Sequence, residues 1–537
     1  MRIPRPLLLV FPGLALGFAF APFPFRFLAF IGLVPLFCLV QSPEFKGDTR
    51  RLFLWSWLFG GLAAASHFWW LWFLVVPIEP ITRFLLNIGV LLLFAYLGLY
   101  TAAFALIVHW LGLWSAFLVW PLLEFVRNLG EIAFPWDLLG YSVTPWVPFI
   151  QPAAFGGVYL VSAWLVLVNL LVYRTFFSAC PYGHSLVGFR HPSPRFAILL
   201  LAAVVGPLVL GTTRLQPNRP WLKVAILQPN ISPLDKGDRA ARERIYSDLL
   251  HLIRAAAESR PDLIICPETA TLLDVTNRNN DISRALQVLV DSTRIPLFTG
   301  TPLHDDKQGT WHNGACLLEP GADTVRQRYY KMRLVPFSEK IPYSDQLPLL
   351  RRLIGTADMG NWDRGKDYTV FQLTTTRSRF ATRDSGFASI SYEQSVASRF
   401  ACLICFEAIF PDLARQFTRR GSEMFAVVTN DGWFGRILGA QQHAELAVMR
   451  TVENGVSMAR SANNGISFVV DPYGRVLKKT RLFTQELLIS VVPAPLATTP
   501  YRRHGDWFII ACLAGVCAFS VVRVLRRSTL ATTGTRN

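Results

Sequence analysis

Residues 403–407 read Leu403-Ile404-Cys405-Phe406-Glu407: an apolar run that ends on a thiol, with a carboxylate two places on. Such a run suits a strand buried on both faces, as layered α/β domains contain, so the thiol would stand at a strand end. Two other segments share this form. Ile265-Cys266-Pro267-Glu268-Thr269-Ala270 sets a carboxylate after an apolar run, and Tyr329-Tyr330-Lys331 sets an ammonium after a β-prone one. A thiol, a carboxylate and an ammonium converging at strand ends suffice for acyl transfer. The thiolate attacks a carbonyl, the carboxylate moves the proton and the cation stabilises the oxyanion.

Around these segments, short β-rich runs alternate with amphipathic ones. The pattern predicts strands at 222–228, 262–266, 295–299, 314–318, 401–405, 424–429, 466–471 and 486–492, and helices at 238–258, 281–292 and 440–460. That alternation implies an α/β fold with helices packed on sheets. Residues 374–400, rich in Ser, Thr and Arg, read as an inserted surface loop.

The flanks are different. The chain has 537 residues, 52% of them hydrophobic, and its long apolar runs lie in residues 1–212 and again at 506–523. A transmembrane helix needs about 20 mostly apolar residues to cross about 30 Å of hydrocarbon. Eight candidate spans follow, near 6–21, 24–41, 52–76, 84–108, 112–127, 156–173, 196–212 and 506–523, the first two divided by Pro22 and Pro24. The first resembles a signal peptide, but it runs straight into further apolar sequence and is read as an anchor. The expected organisation is therefore 1–212 as about seven membrane helices, 220–500 as the catalytic domain and 506–523 as a final span.

Positive charge should concentrate in cytoplasmic loops. With the N-terminus inside, the inner segments hold Arg2, Arg5, Lys46, Arg50, Arg51, Arg174, Arg190, Arg195, Arg523, Arg526 and Arg527, against Arg26, Arg83 and Arg127 outside. The 220–500 domain then lies outside the cytoplasm. The net charge of +17 includes this topological arginine, and no basic run interleaved with aromatics stands out. Nucleic acid is not expected as a partner, and anionic lipid is the better electrostatic match.

The eight cysteines lack the spacing of a disulfide framework. Cys402 and Cys405 form a C-x-x-C, but residues three apart on a strand point to opposite faces, and no second C-x-x-C or H-x-x-x-H accompanies them, so no metal is expected. No nucleotide-binding loop is present in the sequence, and no cofactor is expected.

Glu268 in CPETA, Lys331 in YYKMRLVPFSE and Cys405 in ICFE resemble the Glu-Lys-Cys triad of the nitrilase, or carbon-nitrogen hydrolase, superfamily. TNDGWFG at 429–435, Asn463-Asn464-Gly465-Ile466 and FPWDLLGY at 134–141 resemble its membrane branch, the apolipoprotein N-acyltransferases. The resemblance spans nearly the whole chain. It implies α/β architecture in which a multi-span α-helical membrane domain carries a nitrilase-like αββα sandwich.

The same resemblance implies a reaction, acyl transfer in lipoprotein maturation. Cys405 would take an acyl chain from a membrane phospholipid as a thioester, and the α-amino group of a lipoprotein's N-terminal diacylglyceryl-cysteine would accept it. The setting would be the bacterial inner membrane, with the catalytic domain on the periplasmic side. Glu268 is the expected general base, and Lys331 with the Phe406 N–H the oxyanion holders. Glu339 and Glu407 match further glutamates of the family, expected to orient Lys331 or hold the loop, and Asn313 and Asn430 are expected to brace loops.

Phe337, Trp433 and Phe434 flank the site in sequence and are expected to meet substrate, within apolar loops that also include Leu334 and Ile437. There are departures from the family pattern. Phe406 stands where a tyrosine is common, no tryptophan lies near Gly237, and 374–400 is long. Two rival functions are a tethered amidase hydrolysing a small amide and a transporter, the latter suggested by Glu124, Arg127, His67 and His109 in or near the spans.

Overall fold

The computed structural model describes residues 7–45, 47–75, 79–179, 187–189, 192–238, 240–346, 362–382 and 389–533. Arg2, Arg5, Lys46, Cys180 and Arg190, and the end residues 6 and 76 of two expected spans, lie outside the described residues. The chain forms two compact units. One comprises Met1–Gln216, Phe434–Glu453 and Thr499–Asn537, the other Pro217–Trp433 and Asn454–Thr498. The expected block 220–500 is thus interrupted, because residues 434–453 belong with the helical unit.

In the helical unit each expected span contains helix, but among the described residues four helices have the length and apolarity of a crossing: Pro80–Leu111, Ala153–Phe176, Pro194–Arg214 and Trp507–Arg526. The others are shorter. Leu7–Gly17 has 11 residues, and the second expected span is broken into Arg26–Phe30 and Val34–Gln41. Thr49–Phe68 opens on Arg50 and Arg51, and 11 residues form Ala116–Val126. Apolar side chains such as Ile198 and Ile510, 67% and 70% exposed, turn outward on the crossing helices, as contact with lipid tails requires.

The unit's interior is held by polar side chains with matched partners. The Gln442 side-chain oxygen accepts from Trp70 Nε1 and Trp136 Nε1, both at 3.0 Å, and its nitrogen donates to Ala21 O and His67 O at 3.0 and 3.1 Å. Arg450 pairs with Glu453 at 2.6 Å and donates to Tyr141 Oη at 3.0 Å. FPWDLLGY is therefore a hub of the helical unit. Arg127 pairs with Asp137 at 2.9 Å, while Glu124 accepts from Leu139 N and Trp120 Nε1.

The second unit is a two-sheet sandwich. One sheet contains β1 (Pro220–Gln228), β2 (Leu263–Ile265), β3 (Leu297–Asp305), β4 (Thr310–Leu318), β5 (Gln327–Tyr330) and β12 (Glu486–Pro493), in the order β12-β1-β2-β3-β4-β5. The other contains β6 (Val370–Thr382), β7 (Ser389–Ile404), β8 (Met424–Thr429), β9 (Ser457–Ala462), β10 (Phe468–Val470) and β11 (Val476–Lys479), in the order β11-β10-β9-β8-β7-β6. Helices Arg242–Glu258 and Asp281–Thr293 put Leu249, Ile253, Leu286 and Val290 into one core with Leu227, Ile264 and Leu297 of the first sheet. Between the sheets, the Phe298 ring stands 5.0 Å from both Phe371 and Phe400. Truncating one such aromatic typically costs about 3–5 kcal/mol.

All eight expected strands are present. Two expectations change. Residues 374–382 and 389–400 belong to β6 and β7, which pair antiparallel from Val370–Ala401 to Thr382–Ser389, because a two-stranded ladder satisfies its backbone groups whatever the sequence period. The helix expected at 440–460 runs from Gly439 to Asn454: Gly455 takes φ +66°, where glycine ends helices, and Ser457–Ala462 becomes a buried strand.

Candidate active site

Three strand ends deliver the reactive groups. β2 is central, parallel to β1 and β3, and its three residues are fully buried, which explains its unbroken apolar run. Pro267 follows it, and Glu268 projects from the turn beyond. β5 leads directly into Lys331, whose N–H donates to Asn313 O at 2.9 Å. β7 lies parallel to β8, with Ile404 opposite Val428, and ends at Cys405. Glu268 and Lys331 thus leave one sheet and Cys405 the other.

Cys405 takes φ +51°, a left-handed conformation uncommon for a residue with a side chain. It is half-buried and opens the short helical turn Cys405–Ile409. Such conformations cost about 1–3 kcal/mol and persist where surrounding bonds impose them. Glu407 bonds the backbone just before Cys405. Fully buried, its Oε1 accepts from Tyr329 Oη at 2.7 Å, Met332 N at 2.6 Å and Arg333 N at 3.1 Å, and its Oε2 from Ile404 N at 2.8 Å. One carboxylate therefore joins the backbone before Cys405 to the backbone after Lys331.

Lys331 is 1% exposed and donates to Glu339 Oε1 at 2.8 Å and Glu268 Oε1 at 3.3 Å. Asn313 Nδ2 bridges the same two oxygens at 2.9 and 2.8 Å. Glu268 Oε2 accepts the Asn430 N–H at 2.9 Å, and Glu339 Oε2 the Val335 N–H at 2.8 Å. Removing one member of a buried ionic cluster leaves uncompensated charge and costs about 3–5 kcal/mol.

These contacts set the protonation states. Burial pushes the Glu268 carboxyl up, but Lys331, the Asn313 hydrogen bond and Lys236 together hold it below its ordinary value. Burial opposes the Lys331 ammonium, yet Glu268, Glu339 and Cys405 keep it well above its usual range. Burial, reinforced by the Glu268 charge, pushes the Cys405 thiol well up, against the pull of Lys331 and Thr429. The resting pair is a neutral thiol and an ionised carboxylate. Burial also pushes Glu407 up, against its four donors and Lys331.

The structure brings Glu268, Lys331, Cys405, Glu339 and Glu407 into one site. Phe406 is buried edge-on to Phe410, 5.1 Å away. Phe337, 52% exposed, and Trp433, 37% exposed, have their side chains free of the interior. Phe434 does not: its ring lies 5.1 Å from Trp70 and 5.8 Å from Trp136, packed in the helical unit. Asn313 does more than brace a loop, since it bonds both carboxylates. Lys236, which the sequence reading passed over, donates to the Glu268 and Thr269 carbonyls. Its only signal in sequence was its place after a strand, in PLDKGD.

Residues 12–171 match the model of the apolipoprotein N-acyltransferase N-terminal domain, and residues 223–501 match that of carbon-nitrogen hydrolases. An apolipoprotein N-acyltransferase of Geobacter metallireducens is 30% identical over 97% of this chain and 96% of its own length. One of Chlorobaculum tepidum is 31% identical over 96% of each. A solved amidase from Nesterenkonia sp. aligns with 56% of this chain and 98% of its own at 16% identity and a TM-score of 0.37.

Proposed function

The chain belongs to the apolipoprotein N-acyltransferase family, with a carbon-nitrogen hydrolase catalytic domain, and on that premise we propose how its own residues carry the reaction and where. It is an acyltransferase of lipoprotein maturation. Cys405 Sγ attacks an ester carbonyl of a membrane phospholipid while its proton passes to Glu268. The tetrahedral oxyanion is held by Lys331 Nζ and the Phe406 N–H. Collapse breaks the ester C–O bond, the leaving oxygen takes the proton back from Glu268, and a lysophospholipid departs from the thioester.

The α-amino group of the lipoprotein's diacylglyceryl-cysteine then attacks the thioester carbonyl and gives its proton to Glu268. Collapse expels the Cys405 sulfur, which is reprotonated, and an amide remains. The observation that carries this reading is the buried Glu268–Lys331 contact at 3.3 Å, in a site that also receives Cys405 from the opposite sheet. Glu339 and Glu407 position Lys331 and Cys405, and Phe337 and Trp433 meet the lipid chains. Membrane attachment fits the substrates, because withdrawing an acyl chain into water costs about 0.8 kcal/mol per CH₂. The arginine distribution supports an inner-membrane protein whose catalytic unit faces the periplasm.

Intact mass spectrometry after incubation with a diacyl phospholipid tests this. The expected product is an adduct of one acyl chain, released by hydroxylamine and missing from Cys405→Ala. A folded wild-type protein that forms no adduct refutes the phospholipid donor.

A further inference from the structure

On the loop after β1 lies a cation to which the reaction above gives no part. Lys236 Nζ donates to Glu268 O at 3.2 Å, to Thr269 O at 2.9 Å and to Thr269 Oγ1 at 2.9 Å. An ammonium has three protons, and all three are committed to this one turn.

The turn is strained. Thr269 is β-branched and takes φ +44°, in the left-handed region that such side chains avoid. From the far side β3 grips the same segment, with Ala270 N–H donating to Gly300 O at 3.0 Å and Gly300 N–H to Pro267 O at 3.2 Å. The approach is so close that a Cβ on Gly300 would stand 2.6 Å from Glu268 Cα. The main chain beneath the general base is therefore held between β3 and the Lys236 ammonium.

We propose that Lys236 is a positioning residue for acyl transfer: its ammonium clamps the Glu268–Thr269 turn, aiming the Glu268 carboxylate and helping to keep it ionised. The charge argument is independent of the hydrogen bonds. Lys331 divides its contacts between Glu268 and Glu339, and Lys236 is the second cation acting on Glu268. Burial, opposed by Glu268, brings the Lys236 ammonium down to about 8. Seating the loop at 232–238 thereby becomes part of assembling the site.

The test uses the full chain in detergent and follows alkylation of Cys405 by iodoacetamide, read on the Cys405 peptide by mass spectrometry as a function of pH. The Sγ–C bond forms as iodide leaves, and no lipid is required. Lys236→Met is expected to alkylate about tenfold more slowly or worse at neutral pH, with the acid limb of the profile moved to higher pH as Glu268 protonates more readily. Lys236→Arg keeps the charge, recovers part of the rate and leaves the acid limb in place.

The proposal is overturned if Lys236→Met reacts as the wild type does. It is also overturned if both variants slow equally with the limb unmoved, the behaviour of a merely structural residue. Should Lys236→Met fail to fold, Lys236→Arg decides, since a displaced acid limb with the charge retained contradicts the clamp. A protein that alkylates as expected yet never forms an acyl thioester refutes the phospholipid donor and leaves the clamp standing.

Discussion

Glu407→Gln should disable this enzyme while changing no atom that touches substrate. The carboxylate accepts four hydrogen bonds, three at Oε1 and one at Oε2. A glutamine offers one acceptor oxygen, so its best placement keeps the Tyr329, Met332 and Arg333 donors and turns an NH₂ toward the buried Ile404 N–H. Leaving that donor unsatisfied costs about 1–3 kcal/mol, and losing charge assistance on the other three costs about 1 kcal/mol each.

These terms are not additive, and a net loss of roughly 3–5 kcal/mol is expected. At about 2 °C per kcal/mol for a unit of this size, the melting temperature should fall by at least about 6 °C. The backbone before Cys405 would come loose from the backbone after Lys331, and a misplacement of about 1 Å costs on the order of 100-fold in rate. The assay is the rate of hydroxylamine-labile acylation of Cys405, with a thermal melt of the same sample. Asp412→Asn is the control, since it breaks a half-exposed ion pair with Arg333 at 2.9 Å, a contact worth about 0–1 kcal/mol. A Glu407→Gln protein that melts with the wild type and acylates at its rate refutes the reasoning.

Two further outcomes follow from the same contacts. Because Glu268 is held below its ordinary value, the base stays ionised as pH falls through the usual carboxylate range, near 4.3 for an unperturbed glutamate. The acid limb of Cys405 alkylation should therefore lie below that range in the wild type and move upward in Asn313→Leu, which removes one donor; a wild-type limb near neutral pH contradicts the assignment. Gly300→Ala should destabilise the catalytic unit by about 1–3 kcal/mol and slow acylation, because its Cβ would press within 2.6 Å of Glu268 Cα and Pro267 O; an unchanged melt and rate would mean that the turn is not held as described.

Glu268 and Cys405 were legible because each follows a buried strand whose apolar run announces it, whereas Lys331 follows the partly exposed Gln327–Tyr330 and was legible from the motif around it. What went unread lacked such a signal. Residues 374–382 and 389–400 form strands whose pairing satisfies backbone groups and needs no apolar period in the sequence. Helix 440–460 looked continuous because Gly455 is one residue, and its left-handed φ is visible only in coordinates. Of the eight expected spans, proline-broken or arginine-led segments formed helices too short or too polar to be counted as crossings among the described residues.

Local sequence determined the two architectures, the strand ends and the three reactive groups, since hydrophobic period and side-chain chemistry are properties of neighbours along the chain. Tertiary structure alone decided that Asn313 would bridge Glu268 and Glu339, that Glu407 would tie Cys405 to the Lys331 segment, and that Phe434 would pack with Trp70 and Trp136 rather than stand free. It also decided that Lys236 would grip the turn under Glu268, 32 residues away. Hydrogen bonds and buried charges act across space, over a few ångströms and between residues far apart in sequence, so no local pattern encodes which donor will meet which carboxylate.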